Sequence, residues 1–134
     1  MTVVLDSSAL LALHITGAQR GVVRAILEQD DIWVACSIAL SEAIAAASRL
    51  TDEEVLVRHL EDMLRHTWDF LHVVPIDQSL LDEATILCQA QPVGMSVALH
   101  LASAARLPAP VRFVTFDAAQ IPVALSLGFD VVSG

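Results

Sequence analysis

The chain has 134 residues, 55% of them hydrophobic, and a formal net charge of −9. That size and apolar content suit one globular domain over residues 1–134 with a single core, and exclude a disordered chain. All seven basic residues are Arg. The absence of Lys excludes chemistry that depends on one, and the acidity excludes a general attraction to nucleic acid, so action on RNA or DNA needs a local site, a metal ion or a few placed arginines.

The chain opens with Thr2-Val3-Val4-Leu5-Asp6-Ser7-Ser8. Val3, Val4 and Leu5 suit a buried strand. Asp6 falls where that strand leaves the sheet, and in open α/β sheets ligands bind outside the carboxyl ends of the strands. Ser7 and Ser8 favour the start of a helix that continues through Leu13 and is interrupted near Gly17. Val22, Val23, Ile26 and Leu27 then recur at helical spacing, predicting a second helix to about Gln29. Arg20 and Arg24 are i, i+4 neighbours on its polar side. A solvated face accounts for them, with a phosphate contact as the lesser alternative.

Asp30-Asp31 signals a turn, and Ile32 to Cys36 reads as a second strand. Ser37 is placed to cap a helix running to about Ser48. Glu42 is the only charge between Asp31 and Arg49. Surface helices carry several charges, and a lone buried carboxylate is costly without a partner. Glu42 is therefore a candidate site residue, against the plainer alternative of an exposed side chain.

Thr51 and Glu54 have capping-box spacing before a long helix whose apolar face is Leu56, Leu60, Met63, Leu64 and Trp68. His59 and His66 lie near its polar side and, without a third ligand, read as surface histidines. His72 to Ile76 predicts a third strand. Asp77 caps the next helix, with Leu80, Leu81, Ala84, Leu87 and Cys88 as its apolar stripe. Pro92 and Gly94 end it, and Ser96 is placed to cap a helix from Val97 to about Ala105. Pro108 and Pro110 close that helix off. Val111 to Phe116 reads as a fourth strand, with Asp117 directly after it. Pro122 fits the first turn of a last helix, Gly128 its stop, and Asp130 to Val132 a final strand.

Alternating strands and helices predict an α/β fold, a three-layer α/β/α sandwich with a mainly parallel central sheet. No apolar run can span a bilayer, and Asp6 interrupts any signal-like segment. Cys36 and Cys88 are isolated and read as reduced thiols in a cytoplasmic protein.

Asp6 and Asp117 are expected at the same edge of the sheet, with Glu42 as a third acid. Three converging carboxylates without a cationic neighbour repel one another unless a cation neutralises them. Oxygen ligands of this kind suit Mg²⁺ or Mn²⁺, which support phosphodiester hydrolysis.

Val-Leu-Asp6-Ser-Ser8, Glu42 on an early helix, Ala98-Leu99-His100-Leu101-Ala102-Ser103-Ala104 and Val114-Thr115-Phe116-Asp117 together resemble a PIN domain. Their order and the chain length resemble, more narrowly, the VapC toxins of bacterial toxin–antitoxin pairs. The resemblance implies an Mg²⁺- or Mn²⁺-dependent endoribonuclease, homodimeric and held by a cognate antitoxin. It places catalytic and metal-binding roles on Asp6, Glu42 and Asp117, with the Ser8 and Thr115 hydroxyls supporting the acids. One position departs from the pattern. The acid usual before Ala-Leu-His-Leu-Ala is Val97, and no Asp or Glu occurs from Ala84 to Phe116. Ser96 is adjacent but is a poor substitute, and His100 is read as packing or hydrogen bonding on its helix. The alternative function is therefore a PIN-like domain that binds RNA or an antitoxin without efficient cleavage. A third is a structural α/β module whose acids never meet. P-loop, receiver and aspartyl-phosphate phosphatase readings all need a Lys, and no GxGxxG follows the first strand. The high apolar fraction also predicts antitoxin contact through apolar surface near the first helices.

Overall fold

Strand β1 (Thr2–Leu5) lies at the centre of a five-stranded sheet in a computed structural model that describes residues 1–134. The strand order is β3-β2-β1-β4-β5, with β2 at Ile32–Cys36, β3 at His72–Val74, β4 at Val111–Val114 and β5 at Asp130–Val132. Every pairing is parallel, so the sheet is wholly rather than mainly parallel. The chain builds outward from β1 through β2 to β3, then returns to the other side of β1 for β4. That reversal makes the carboxyl ends of β1 and β4 the switch point where α/β sheets form their crevice.

The period-two alternation of β1 sets the layers. Val3 and Leu5 pack with Ala9 and Leu10 of helix α1 (Ser7–Ala12), Val23 of α2 (Ala18–Gln29), Ala43 of α3 (Ile38–Ala47) and Leu64 of α4 (Glu54–Trp68). Val4 points the other way, into a core with Leu101 of α6 (Met95–Ala105), Phe113 of β4 and Val123 of α7 (Ile121–Ser126). Helix α5 (Gln78–Ala90) packs beside α6 through Leu80 and Ala84. In α3, Ala39, Ala43 and Ala47 recur every four residues and are fully buried, so a small-residue stripe lets this helix pack closely against α1 and α4.

Several boundaries differ from the sequence expectation. β3 stops at Val74, because Pro75 has no N–H for the ladder. β4 stops at Val114, so Asp117 sits three residues past the strand and caps a short 3₁₀ turn, Ala118–Gln120. Thr51 forms no capping box. Its hydroxyl accepts from Glu53 N at 3.2 Å, and α4 begins only at Glu54. The first turn of α4 projects into solvent, which leaves Leu56 exposed while Leu60 and Leu64 are buried. Asp6, not a serine, caps α1, and Gly94, not Ser96, precedes α6.

The turn after α1 is tied to α4 by a 2.8 Å hydrogen bond between His14 Nε2 and Thr67 Oγ1. Burial lowers the His14 pKa below its ordinary 6.5, and Arg24 and Arg20 lower it further. The folded state therefore binds fewer protons here than the unfolded chain does. Stability is undiminished above the ordinary value and falls as pH drops through 6.5 toward the lowered folded value. His14→Gln, which still reaches Thr67, is expected to flatten the decline of melting temperature between about pH 7.5 and about pH 5.5. Melting curves across that range check this, and an unchanged slope would remove His14 as the cause.

Candidate active site

The carboxyl end of β1 delivers Asp6 into the switch-point crevice, where it is 1% exposed. Its Oδ1 accepts from Ser8 Oγ at 2.7 Å and from the Ala9 N–H at 2.9 Å. Its Oδ2 accepts from Thr115 Oγ1 at 2.5 Å and from Gln120 Nε2 at 3.0 Å. All four of these donors are neutral, so the buried Asp6 is hydrogen-bonded but has no charged partner.

Two of these hydroxyls also accept. Ser8 Oγ takes the Phe116 N–H at 2.9 Å, and Thr115 Oγ1 takes the Asp117 N–H at 3.1 Å. Each hydroxyl thus joins the end of β1 to the segment leaving β4, which aligns Asp117 with Asp6. Asp117 is half-buried. It accepts from Ala119 N at 3.1 Å through Oδ1 and from Gln120 Nε2 at 3.4 Å through Oδ2. A single amide nitrogen therefore touches both acids.

Glu42 does not face bulk solvent. Its Oε1 lies 2.6 Å from His100 Nε2, Ser96 Oγ donates to its Oε2, and its side chain is 30% exposed. Ser96 and His100 are four residues apart on α6, so they share the face turned to α3. The His100 hydrogen bond lowers the Glu42 pKa most. Burial opposes it, and Ser96 and then Ser7 lower it further. Val97, one residue past Ser96, turns instead toward the core that holds Val4 and Val34.

The structure thus brings Asp6 and Asp117 together through Thr115 and Gln120, and anchors Glu42 separately to α6. No three His, Cys, Asp or Glu side chains lie close enough to share an ion. No arginine pairs with any of the three acids. Arg112 is engaged by Asp30 and Asp130, and Arg106 by Asp77 and Glu83. Beside the acids a cleft of about 440 Å³ opens, lined by Ser8, Leu11, Thr16 and Phe116 among others.

This crevice sits on a chain whose residues 3–133 match the family model for the PIN domain. The chain belongs to the PIN domain family. Solved structures share the fold at low identity. A toxin–antitoxin complex from Klebsiella pneumoniae aligns with a TM-score of 0.70 at 19% identity, covering 98% of this chain and 97% of that one. FitAcB from Neisseria gonorrhoeae aligns at 0.75 and 12% identity, covering 98% and 97%. VapC20 of Mycobacterium tuberculosis, described as a sarcin-ricin loop cleaving toxin, aligns at 0.70 and 12% identity, covering 91% and 95%. No curated protein matches the sequence significantly.

PIN-domain membership implies a divalent ion. The donors present are all oxygens, which suits a hard cation such as Mg²⁺ or Mn²⁺. Asp6 and Asp117 offer Oδ2 atoms to one shared position, now taken by the Gln120 amide nitrogen, while the buried Gln120 Oε1 has no partner. The residues therefore fit such an ion where that amide gives way.

Two members of this network escape a reading of the sequence. Gln120 looks like one more polar residue in a turn, and only its 3% exposure shows that it is part of the site. His100 could have been linked to Glu42 from its i, i+4 spacing with Ser96. No helix is long and apolar enough to cross a membrane.

Proposed function

We propose that this PIN domain is the toxin of a type II toxin–antitoxin pair, an endoribonuclease that hydrolyses RNA phosphodiesters in the cytoplasm. Asp6, Glu42 and Asp117 are the catalytic acids. Asp6 and Asp117 would hold Mg²⁺ or Mn²⁺, and Glu42, now bound to Ser96 and His100, would join them as a ligand only on leaving those partners. The single observation that carries the reading is Asp6, an acid buried without a cationic partner at the switch point and joined to Asp117 through one amide nitrogen. Two like charges placed so close favour a divalent ion between them. When bound, such an ion supplies a nucleophile from water at neutral pH and neutralises charge on phosphoryl oxygens.

The chain's own residues do the rest. Ser8, Thr115 and the Ala9 N–H fix both oxygens of Asp6 in place. His100 and Ser96 orient Glu42 and hold it as a carboxylate near neutral pH. Ser96, the neighbour of Val97, acts on Glu42. The Phe116 ring on the wall of the adjoining cleft is placed for a base to stack. The net charge of −9 suits a small basic segment of an antitoxin. The first helices, where the sequence predicts antitoxin contact, carry no large exposed apolar side chain. Phe70 after α4, Ile86 on α5 and Leu125 on α7 are the exposed apolar residues that would serve that partner or a second copy in a homodimer.

A second reading is a PIN domain that binds RNA or antitoxin without efficient cleavage. It is favoured by Val97, an apolar residue where the resemblance expects an acid. Purified, antitoxin-free protein incubated with an RNA pool at millimolar Mn²⁺ separates the two. The toxin reading expects cleavage that EDTA stops and that Glu42→Gln or Asp117→Asn reduces by about 100-fold or more. RNA retained on the protein but never cut favours the second reading.

A further inference from the structure

We propose that Gln120 stands in for a cation between Asp6 and Asp117. Its amide holds the two acids together in the ion-free protein, and a divalent ion binds only by displacing it. The inference rests on Asp6 and Asp117 being ion ligands, and it assigns to Gln120 a role that a polar turn residue would not ordinarily have.

Three observations carry it. First, Nε2 lies 3.0 Å from Asp6 Oδ2 and 3.4 Å from Asp117 Oδ2. An amide nitrogen has two hydrogens, one for each acid, so this side chain alone spans the pair. Second, Gln120 is 3% exposed, and its Oε1 is buried with no hydrogen-bond partner. An unpaired buried carbonyl is unfavourable. Turning the amide over would be worse, because Oε1 would then face two carboxylate oxygens. The acids therefore set the orientation, and the orphaned oxygen is its consequence. Third, no Arg or His approaches either acid, so the remaining donors are hydroxyls and backbone N–H groups that each serve one side chain. Removing the Gln120 side chain would leave two carboxylates adjacent with nothing between them. That penalises the ion-free form and removes the competitor for an entering cation.

Gln120 is a positioning residue in this account. Its test is calorimetric titration of manganese chloride into the wild-type protein and into Gln120→Met, an apolar side chain of similar length, with melting curves in EDTA and at saturating Mn²⁺. Gln120→Met is expected to bind Mn²⁺ about tenfold more tightly. It should also melt lower than wild type in EDTA, and the gap should close as Mn²⁺ saturates. Gln120→Asn, whose shorter arm cannot span both acids, is expected to shift the same way and serves if the Met variant fails to fold. Equal or weaker Mn²⁺ binding by both variants, with wild-type binding that depends on Asp6, overturns the inference and leaves the ion-ligand reading standing. An absence of Mn²⁺ binding in all three proteins overturns both.

Discussion

Asp6→Ala is expected to abolish RNA cleavage and to destabilise the fold by about 3–5 kcal/mol, the range for stripping the acceptor from several buried donors. Four donors converge on this carboxylate, from Ser8, Ala9, Thr115 and Gln120. Without it, the Ala9 N–H at the start of α1 loses its acceptor, and both hydroxyls lose theirs. Asp6→Asn is the more informative partner. An NH₂ group at the Oδ1 position would face the fixed Ala9 N–H, but at the Oδ2 position it faces the Thr115 hydroxyl and the Gln120 amide, both of which can turn to accept. Its stability cost should therefore fall below that of alanine, while cleavage is lost to the same extent. Urea unfolding measures the stability term and gel analysis of a labelled RNA the activity. A cost below about 1 kcal/mol for both variants would mean that this network does not hold the corner together.

The opposite change is expected at Val97. Val97→Asp restores an acid to the first turn of α6, beside Ser96, whose hydroxyl binds Glu42. A carboxylate there adds negative charge near a site that no arginine reaches. In EDTA the variant should lose about 1–3 kcal/mol, since Val97 now packs against the core around Val4. At saturating Mn²⁺ the loss should be recovered, and cleavage should rise about tenfold or more as a further negative ligand becomes available. Stability curves with and without Mn²⁺, read beside cleavage rates, decide it. A loss that Mn²⁺ leaves unrecovered, with cleavage unchanged, places position 97 outside the ion's reach.

The frame of the molecule is legible where the deciding signal is local. An apolar run followed at once by an acid marks Asp6, because strand, corner and cap occupy consecutive residues. Asp77 and Gly128 declare a helix start and stop in the same way. The strand limits are less visible, because a strand ends where its partner ends. The run Val111 to Phe116 stays suitable for a strand, yet β5 offers partners only for Arg112 to Val114. Glu42 stands out as the lone charge on an apolar helix. Its partners do not, being 54 and 58 residues away. Gln120 gives no sign at all, since only the folded chain shows that a polar turn residue is enclosed. Local pattern marks the three acids, the resemblance adds the Ser8 and Thr115 hydroxyls, and only packing shows Gln120 and the partners of Glu42.

The wiring of the Asp6 corner also bears on synthesis at the ribosome. Asp6 emerges among the first residues, but the Thr115 and Gln120 donors lie 109 and 114 positions later. A nascent chain can offer Asp6 only the local Ser8 and Ala9 donors, leaving Oδ2 unpartnered, until its last fifth has been translated and β4 has slotted beside β1. Every prematurely terminated product shorter than that lacks two of the four donors and the strand that aligns Asp117 with Asp6.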